Sequence, residues 1–241
     1  VFLALALALP VGCSVAVAHA VDAAPGGPSR VEAGRQLYVT GCASCHGLAA
    51  EGRTGYGPSL VGVGARAADF YLSTGRMPLD APDAPPIRKR PAYDKRRIAD
   101  LVAYVGSLGG PQVPLVATRG AHLNAGLEAF TENCAGCHGV LARGGVVTGA
   151  VAPSLLSSTP RQIVEALRIG PYLMPRYSVR QIDDSTAADI AAYVQSTRHP
   201  DDRGGWGIGH LGPVPEGMIA WLVGAAALLL IARLLGERTQ S

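Results

Sequence analysis

Charge and aromatic mass are both scarce in this 241-residue sequence: charged residues make up 16% and aromatic residues 5%, against 48% hydrophobic residues. A chain so apolar is not disordered, and one with this much charge is not a multi-span membrane bundle. Few aromatics leave a small domain little bulk with which to fill a core, a deficit that a bound prosthetic group would make good. No lysine/arginine-rich patch is present, which excludes a nucleic-acid partner. The densest basic stretch, Arg88 to Arg97, is interrupted by Pro91 and Asp94 and reads as a solvated face. The formal charge of +3 says little about partners.

Two hydrophobic ends stand out. Gly217 to Ala232 carries no charge, and the apolar run resumes at Leu234 and Leu235 after Arg233. That length crosses a bilayer as a helix if Arg233 reaches the interface. Glu216 precedes it, and Arg233 and Arg238 follow, so the expected topology has the C-terminus cytoplasmic and the bulk of the protein outside. The alternative is a buried core helix, which the lack of a polar face disfavours. Val1 to Ala20 is also apolar and ends in Ala18-His19-Ala20 like a signal-peptidase site. It is either an export signal or a retained anchor, and both imply translocation of the chain beyond it. Cys13 weakly resembles a lipoprotein-box cysteine, but Pro10 fits that pattern poorly, and the residue reads as a passive buried thiol.

Between these ends the sequence repeats itself. Gly34-Arg35-Gln36-Leu37-Tyr38 precedes Cys42-Ala43-Ser44-Cys45-His46-Gly47, and Gly126-Leu127-Glu128-Ala129-Phe130 precedes Cys134-Ala135-Gly136-Cys137-His138-Gly139, both pairs 92 positions apart. Gly57-Pro58-Ser59-Leu60 then answers Ala152-Pro153-Ser154-Leu155, Arg76-Met77-Pro78 answers Leu173-Met174-Pro175, and Ala103-Tyr104-Val105 answers Ala192-Tyr193-Val194. Recurrence of five landmarks in one order marks a duplicated domain.

Each copy is expected to be mostly helical. A short helix-compatible stretch leads into each cysteine pair. After each Met-Pro, a stronger helix is expected: Asp94 caps a stripe of Ile98, Leu101, Val102, Val105 and Leu108, and Asp184 or Ser185 caps one of Ala187, Ile190, Ala191 and Val194. The Gly- and Pro-rich segments between cysteines and methionines are expected to run as loops rather than sheet. Pro78 to Pro91, with five prolines, is a surface loop special to the first copy. The expected order is a hydrophobic segment at 1–20, a first domain at 30–109, a linker at 110–121, a second domain at 122–198, a tether at 199–215 and a transmembrane helix at 216–236.

Cys-x-x-Cys-His is the attachment signature of c-type haem. Two thiols at that spacing reach the two vinyl groups of one porphyrin edge as thioethers, and the adjacent histidine falls under the iron. Two copies predict two haem c groups, on Cys42, Cys45 and His46 and on Cys134, Cys137 and His138. A thioredoxin-like pair would need a βαβ setting that is not visible. A zinc site from the four cysteines is possible on ligand count, but it leaves both histidines and both Met-Pro sites unexplained. A disulfide across two residues closes too little chain to staple a fold. The sixth ligand is found by elimination: Met218 lies in the hydrophobic segment, whereas Met77 and Met174 each come after a haem motif and precede proline. Thioether ligation raises the potential, and iron closed on both faces suits electron transfer rather than oxygen chemistry. His19, His122, His199 and His210 lie outside the repeat, in surface or linker positions. Haem propionates would offset the positive excess.

The tandem order of the two motif sets, Ser73-Thr74-Gly75-Arg76-Met77-Pro78 and the Gly-Pro-Val-Pro-Glu-Gly-Met run into the C-terminal helix resemble the dihaem cytochrome c subunit of the actinobacterial cytochrome bcc complex, a menaquinol–cytochrome c reductase. Nineteen arginines against two lysines fit a high-GC genome. The resemblance implies an all-α fold of two tandem class I cytochrome c domains plus a C-terminal transmembrane helix and a possible N-terminal one. It implies that Pro58 and Pro153 offer a backbone carbonyl to the proximal histidine, where a simple turn proline is the alternative. It also implies a cytochrome b subunit and a Rieske iron–sulfur subunit as neighbours, an aa3-type oxidase with a copper centre as electron acceptor, and a plasma-membrane location with the haem domains on the extracytoplasmic face. Rival readings are a dihaem cytochrome c subunit of a haem–copper oxidase or of a membrane dehydrogenase. In no case is bond chemistry expected of the isolated subunit.

Overall fold

The computed structural model describes residues 29–198 and 213–238. Its first unit holds helices α1 (Arg30–Gly41), α2 (Ala43–His46), α3 (Gly64–Ser73) and α4 (Lys95–Ser107). The second holds α5 (Leu123–Asn133), α6 (Ala135–His138), a hairpin of β1 (Gly145–Val147) and β2 (Ala150–Ala152), α7 (Pro160–Ile169) and α8 (Asp184–Ser196). Helix α9 (Pro213–Arg238) comes last. The expected N-terminal segment 1–20, with Cys13 and His19, and most of the tether, with His199 and His210, lie outside the described residues.

In each unit the helix before the cysteines crosses the helix after the methionine: α1 on α4, and α5 on α8. The crossings are close because a glycine sits at each. A Cβ on Gly34 would overlap the Asp100 carbonyl and lie 2.8 Å from Tyr104 Cβ, and one on Gly126 would overlap the Asp189 carbonyl and lie 3.0 Å from Tyr193 Cβ. Beside the crossings Tyr38 rests on Tyr104 (ring centroids 5.0 Å) and Phe130 on Tyr193 (5.4 Å). Each joint thus uses two of the chain's few aromatics.

The α4 stripe packs as expected. Ile98, Leu101 and Val105 are buried, and Val102 and Leu108 lie partly buried against the same core. In α8, Ala187, Ile190, Ala191 and Val194 are all buried. Asp94 caps α4 by accepting the Arg97 N–H at 2.9 Å. The second cap is neither Asp184 nor Ser185. Asp183 accepts the Thr186 N–H at 2.7 Å, so Asp184 becomes the first helical residue and pairs with Arg168 at 2.7 Å.

Two helices occupy segments expected to be loops. Helix α3 begins at a glycine and buries Ala65, Phe70 and Leu72. Helix α7 begins at a capping box, in which Thr159 accepts from Gln162 N–H and the Gln162 side chain accepts from Thr159 N–H. The β1–β2 hairpin, paired with Gly145 opposite Ala152, is the other departure from the helical expectation. Its origin is a length difference. Gly52 and Gly144 stand 92 positions apart but Pro58 and Pro153 stand 95 apart, so the second copy carries three extra residues there and folds them into a turn.

Within α9, Gly217–Gly236 has a mean hydropathy of 2.3 and no side chain buried against the rest of the structure. At 1.5 Å per residue its 20 residues span about 30 Å, the thickness of a bilayer core. It is the one helix among the described residues long and apolar enough to cross a membrane.

Candidate functional site

Each Cys-x-x-Cys-His is wound as a single turn continuing from the long helix before it. Cys42 N–H donates to Tyr38 O at 2.8 Å and His46 N–H to Cys42 O at 3.0 Å; the second unit repeats this with Cys134 to Phe130 (2.8 Å) and His138 to Cys134 (2.9 Å). The turn places the two cysteines and the histidine of each motif on one rigid element. Bonds at both ends of the loop beyond recur in the two units. Gly52 and Gly144 donate to the carbonyls of His46 and His138 at 2.7 and 2.8 Å, and Leu60 and Leu155 donate to Ala50 and Ala142, both at 2.8 Å.

That loop returns Pro58 and Pro153 to the histidines. His46 Nδ1 lies 2.8 Å from Pro58 O, and His138 Nδ1 lies 3.0 Å from Pro153 O. A carbonyl only accepts, so Nδ1 carries the proton and Nε2 keeps its lone pair. Such a bond fixes both the ring and its tautomer, as it does for metal-ligating histidines generally. A Cβ on Gly57 would stand 3.1 Å from His46 Nδ1 and 3.0 Å from Cys45 O, a tight fit, whereas the second copy makes the same bond with Ala152 in the matching place. His138 is buried, and that burial favours the neutral ring, holding its pKa below the ordinary value against the opposing hydrogen bond to Pro153.

The first thiol of each pair is not poised for redox exchange. Burial, reinforced by the other thiol of each pair, pushes Cys42 and Cys134 up to about 11, whereas a reactive Cys-x-x-Cys needs a low thiol pKa. All four cysteines are unbridged, and the two pairs lie in different units. Among the described residues no three or more His, Cys, Asp and Glu side chains gather as an ion site, so the four thiols do not pool into a tetrahedral zinc centre.

Met77 and Met174 are each half-buried against the core of their own unit. Met77 packs on the cluster that includes Tyr38, with Cys42, Leu60 and Tyr93 alongside; Met174 packs on the cluster of Phe130 and Cys134, with Tyr177 alongside. The Met77–Pro78 peptide is cis. His122 is exposed at the start of α5, where its backbone N–H donates to Asp189 at 2.8 Å.

Several residues that matter here carry no motif. Tyr38 Oη donates to Gly47 O at 2.7 Å and Tyr193 Oη to Val140 O at 2.8 Å, each holding the chain just beyond a haem motif. Arg76, beside Met77, is buried with its guanidinium 4.9 Å from the centroid of the Phe70 ring, and its Nη1 has no hydrogen-bond partner. Glu165 is fully buried near Asp69 where the two units meet. The position of Arg76 before a repeated Met-Pro was a usable sequence signal; Glu165 had none.

Comparison with known proteins agrees with this geometry in both units. Residues 31–109 match the cytochrome c family, and residues 121–194 match the family described as cytochrome c oxidase, cbb3-type, subunit III. The cytochrome bc1 complex cytochrome c subunit of Mycobacterium tuberculosis is 40% identical over 216 residues, covering 86% of this chain and 77% of that protein. Its counterpart in Corynebacterium diphtheriae is 36% identical over 228 residues, covering 87% and 81%. The cbb3-type cytochrome c oxidase subunit CcoP of Rhodobacter capsulatus is 35% identical over 131 residues, but covers only 49% of this chain and 42% of that protein. Matches of 216 and 228 residues necessarily run through both repeats, and on them the chain belongs to the cytochrome c subunits of the cytochrome bc1 complex, the quinol–cytochrome c reductase.

Proposed function

We propose that this subunit holds two haem c groups and relays electrons from a Rieske iron–sulfur protein, seated beside a cytochrome b subunit, to the copper centre of an aa3-type oxidase. The observation that carries the reading is the repeated Nδ1–H···O=C bond from each motif histidine to Pro58 or Pro153, which leaves two identically prepared Nε2 donors in one chain. When bound, each haem supplies a one-electron iron couple. The protein's part is to tether it through Cys42 and Cys45 or Cys134 and Cys137, to hold His46 or His138 in one tautomer, and to offer the thioether of Met77 or Met174. The donor set fits the group: an imidazole whose Nδ1–H is tied to a carbonyl, a soft sulfur and a pair of thiols on one turn. The orphaned Arg76 Nη1 beside Met77 fits it too, as a buried N–H that a propionate would satisfy.

The subunit performs no bond chemistry in this scheme; the oxidation of quinol belongs to the complex. The haem-binding units, 30–109 and 122–198, lie on the extracytoplasmic face of the plasma membrane. Helix α9 crosses it with Arg233 and Arg238 on the cytoplasmic side, the side that basic flanking residues favour. The first unit receives from the Rieske protein and the second delivers to the oxidase, in keeping with their order in the chain.

Intact mass with a pyridine haemochrome assay on the purified subunit tests the core of this. Two covalent haems per chain are expected; a colourless chain, or one haem, overturns it. Co-purification of cytochrome b and Rieske protein tests the setting, and a dehydrogenase flavoprotein or quinoprotein in their place defeats it. Met174→His is expected to lower one of the two midpoint potentials by on the order of 0.1–0.4 V, part of the roughly 0.8 V range that axial ligation commands. It is also expected to slow oxidase reduction while the first haem is reduced normally. Redox titration with stopped-flow reduction reads both, and unchanged turnover contradicts the assigned order.

A further inference from the structure

The Pro-rich segment from Pro78 to Pro91 has no counterpart in the second unit. Met77 lies 17 positions before its helix cap Asp94, whereas Met174 lies only 9 before Asp183. The extra length carries Arg88 across to the second unit. Arg88 Nη1–H donates to Ser158 Oγ at 2.9 Å, and Nη2–H donates to Ser157 O at 3.1 Å and Gln162 Oε1 at 3.4 Å. Gln162 returns the contact, its Nε2–H donating to Ser73 Oγ at 3.0 Å and Ser73 O at 3.4 Å.

Both ends of this link are anchored. On the far side Gln162 is locked into the capping box of α7, and Ser158 O is held by Gln195 Nε2–H at 3.0 Å and by Arg198. On the near side Lys89 N–H donates to Thr74 O at 3.1 Å, Lys89 Nζ pairs with Asp80, and the strand lies so close over Gly75 that no Cβ would fit there. Thr74 and Gly75 lead directly into Arg76 and Met77. The chain that presents the first methionine is thereby tied to the N-terminus of α7. A planar guanidinium with several fixed donors suits this task better than a point charge on a flexible stem.

We propose that Arg88 is a positioning residue, and that its loop is a strap fixing the mutual placement of the two haem-binding units so that electrons pass between them across one set separation. This rests on the two-haem reading above. Electron tunnelling falls exponentially with distance, so a hinge left free between α3 and α7 would spread the transfer over many rates, whereas a strap confines it to one.

The test uses the full haem-loaded chain within its purified complex, with nitroxides on Arg30→Cys in α1 and Glu128→Cys in α5, both exposed positions. Pulsed electron paramagnetic resonance is expected to give one narrow separation for the parent. It is expected to give a broadened one for Arg88→Ala, an intermediate one for Arg88→Lys and the broadest for Arg88→Ala with Gln162→Ala. Flash-initiated transfer between the haems is expected to become slower and multiphasic in the alanine variants, while haem content and each haem's spectrum stay at parent values. Unchanged widths and a single parent-like phase in Arg88→Ala and the double variant overturn the proposal. A haem count below two would fail the functional reading instead, and the nitroxide separations would still decide whether the strap exists.

Discussion

Gly34→Ala is expected to unfold the first unit at temperatures where the parent is fully native. The argument is steric. Helices α1 and α4 cross at Gly34, and a methyl group there would occupy the space of the Asp100 carbonyl and crowd Tyr104 Cβ to 2.8 Å. The obstacle is helix backbone, which cannot rotate aside as a flexible side chain can. Relief requires the helices to move apart, and that opens the packing of Tyr38 on Tyr104 and of Leu101, both nearly solvent-free. Overpacking of a well-filled core costs about 1–3 kcal/mol, and the backbone contact puts this case at about 3 kcal/mol. For a unit of this size each kcal/mol is worth about 4–8 °C, so a fall of about 12–24 °C is expected. Hydrogen exchange against temperature, read separately over α1–α4 and α5–α8, would show it. The same substitution at Gly126 is expected to move the second transition and leave the first alone, because its clash is with the Asp189 carbonyl in the other unit. A shift of less than about 4 °C, the size of a single weak contact, would mean that the helices cross more loosely than described.

How much of this was legible in the sequence depends on how sharply chemistry fixes spacing. A thioether-linked haem would demand two cysteines and a histidine at one interval, so Cys42, Cys45 and His46 stand out without any fold, and duplication singles out Met77 and Met174 as well. The proline carbonyls behind His46 and His138 are legible only through the family resemblance, because the two intervals, 12 and 15 residues, differ. Helices α4 and α8 show because their apolar stripes are long enough to establish a period. Helix α3 does not, because it starts at Gly64 and buries only scattered positions. Helix α7 announced itself through Thr159-Pro160-Arg161-Gln162, a capping box with proline at the first turn, but the surrounding glycines and prolines suit a loop equally well. The cap of α8 differs by one residue because Asp183, Asp184 and Ser185 are all competent caps, and only the pairing of Asp184 with Arg168 selects among them.

The two units also differ in ways that repetition hides. Three extra residues give the second a hairpin, and a longer passage from methionine to helix gives the first its strap. Both departures lie in loops, where added length costs little closure entropy. The motif turns and the helix crossings tolerate no such change and are preserved bond for bond. Of the two departures, the longer passage in the first copy places Arg88 against Ser158 and Gln162 of the second unit, a contact that no internal repeat could specify.

The meeting surface of α3 and α7 supplies the second large effect. Glu165 on α7 is fully buried, and neither carboxyl oxygen finds a protein donor. Burial, with the Asp69 carboxyl of α3 next in weight, pushes its pKa up to about 9, against the weaker pull of Arg161 and Arg66. Arg161 pairs with Asp69 at 3.7 Å. At neutral pH Glu165 is therefore a neutral acid in the fold but a carboxylate in the unfolded chain. The unfolded state binds fewer protons, so stability falls as pH rises from about 4.5 towards about 9 and levels off above. Glu165→Gln keeps the shape, removes the proton and gives Asp69 an amide donor. The variant is expected to match the parent near pH 4.5 and to exceed it increasingly above, by on the order of 3 kcal/mol at pH 7. Unfolding by urea across pH 5 to 9 reads the difference. Parallel profiles for parent and variant would show that Glu165 is ionised in the folded protein. A variant weaker than the parent at every pH would show that the acid proton makes a bond that an amide cannot replace.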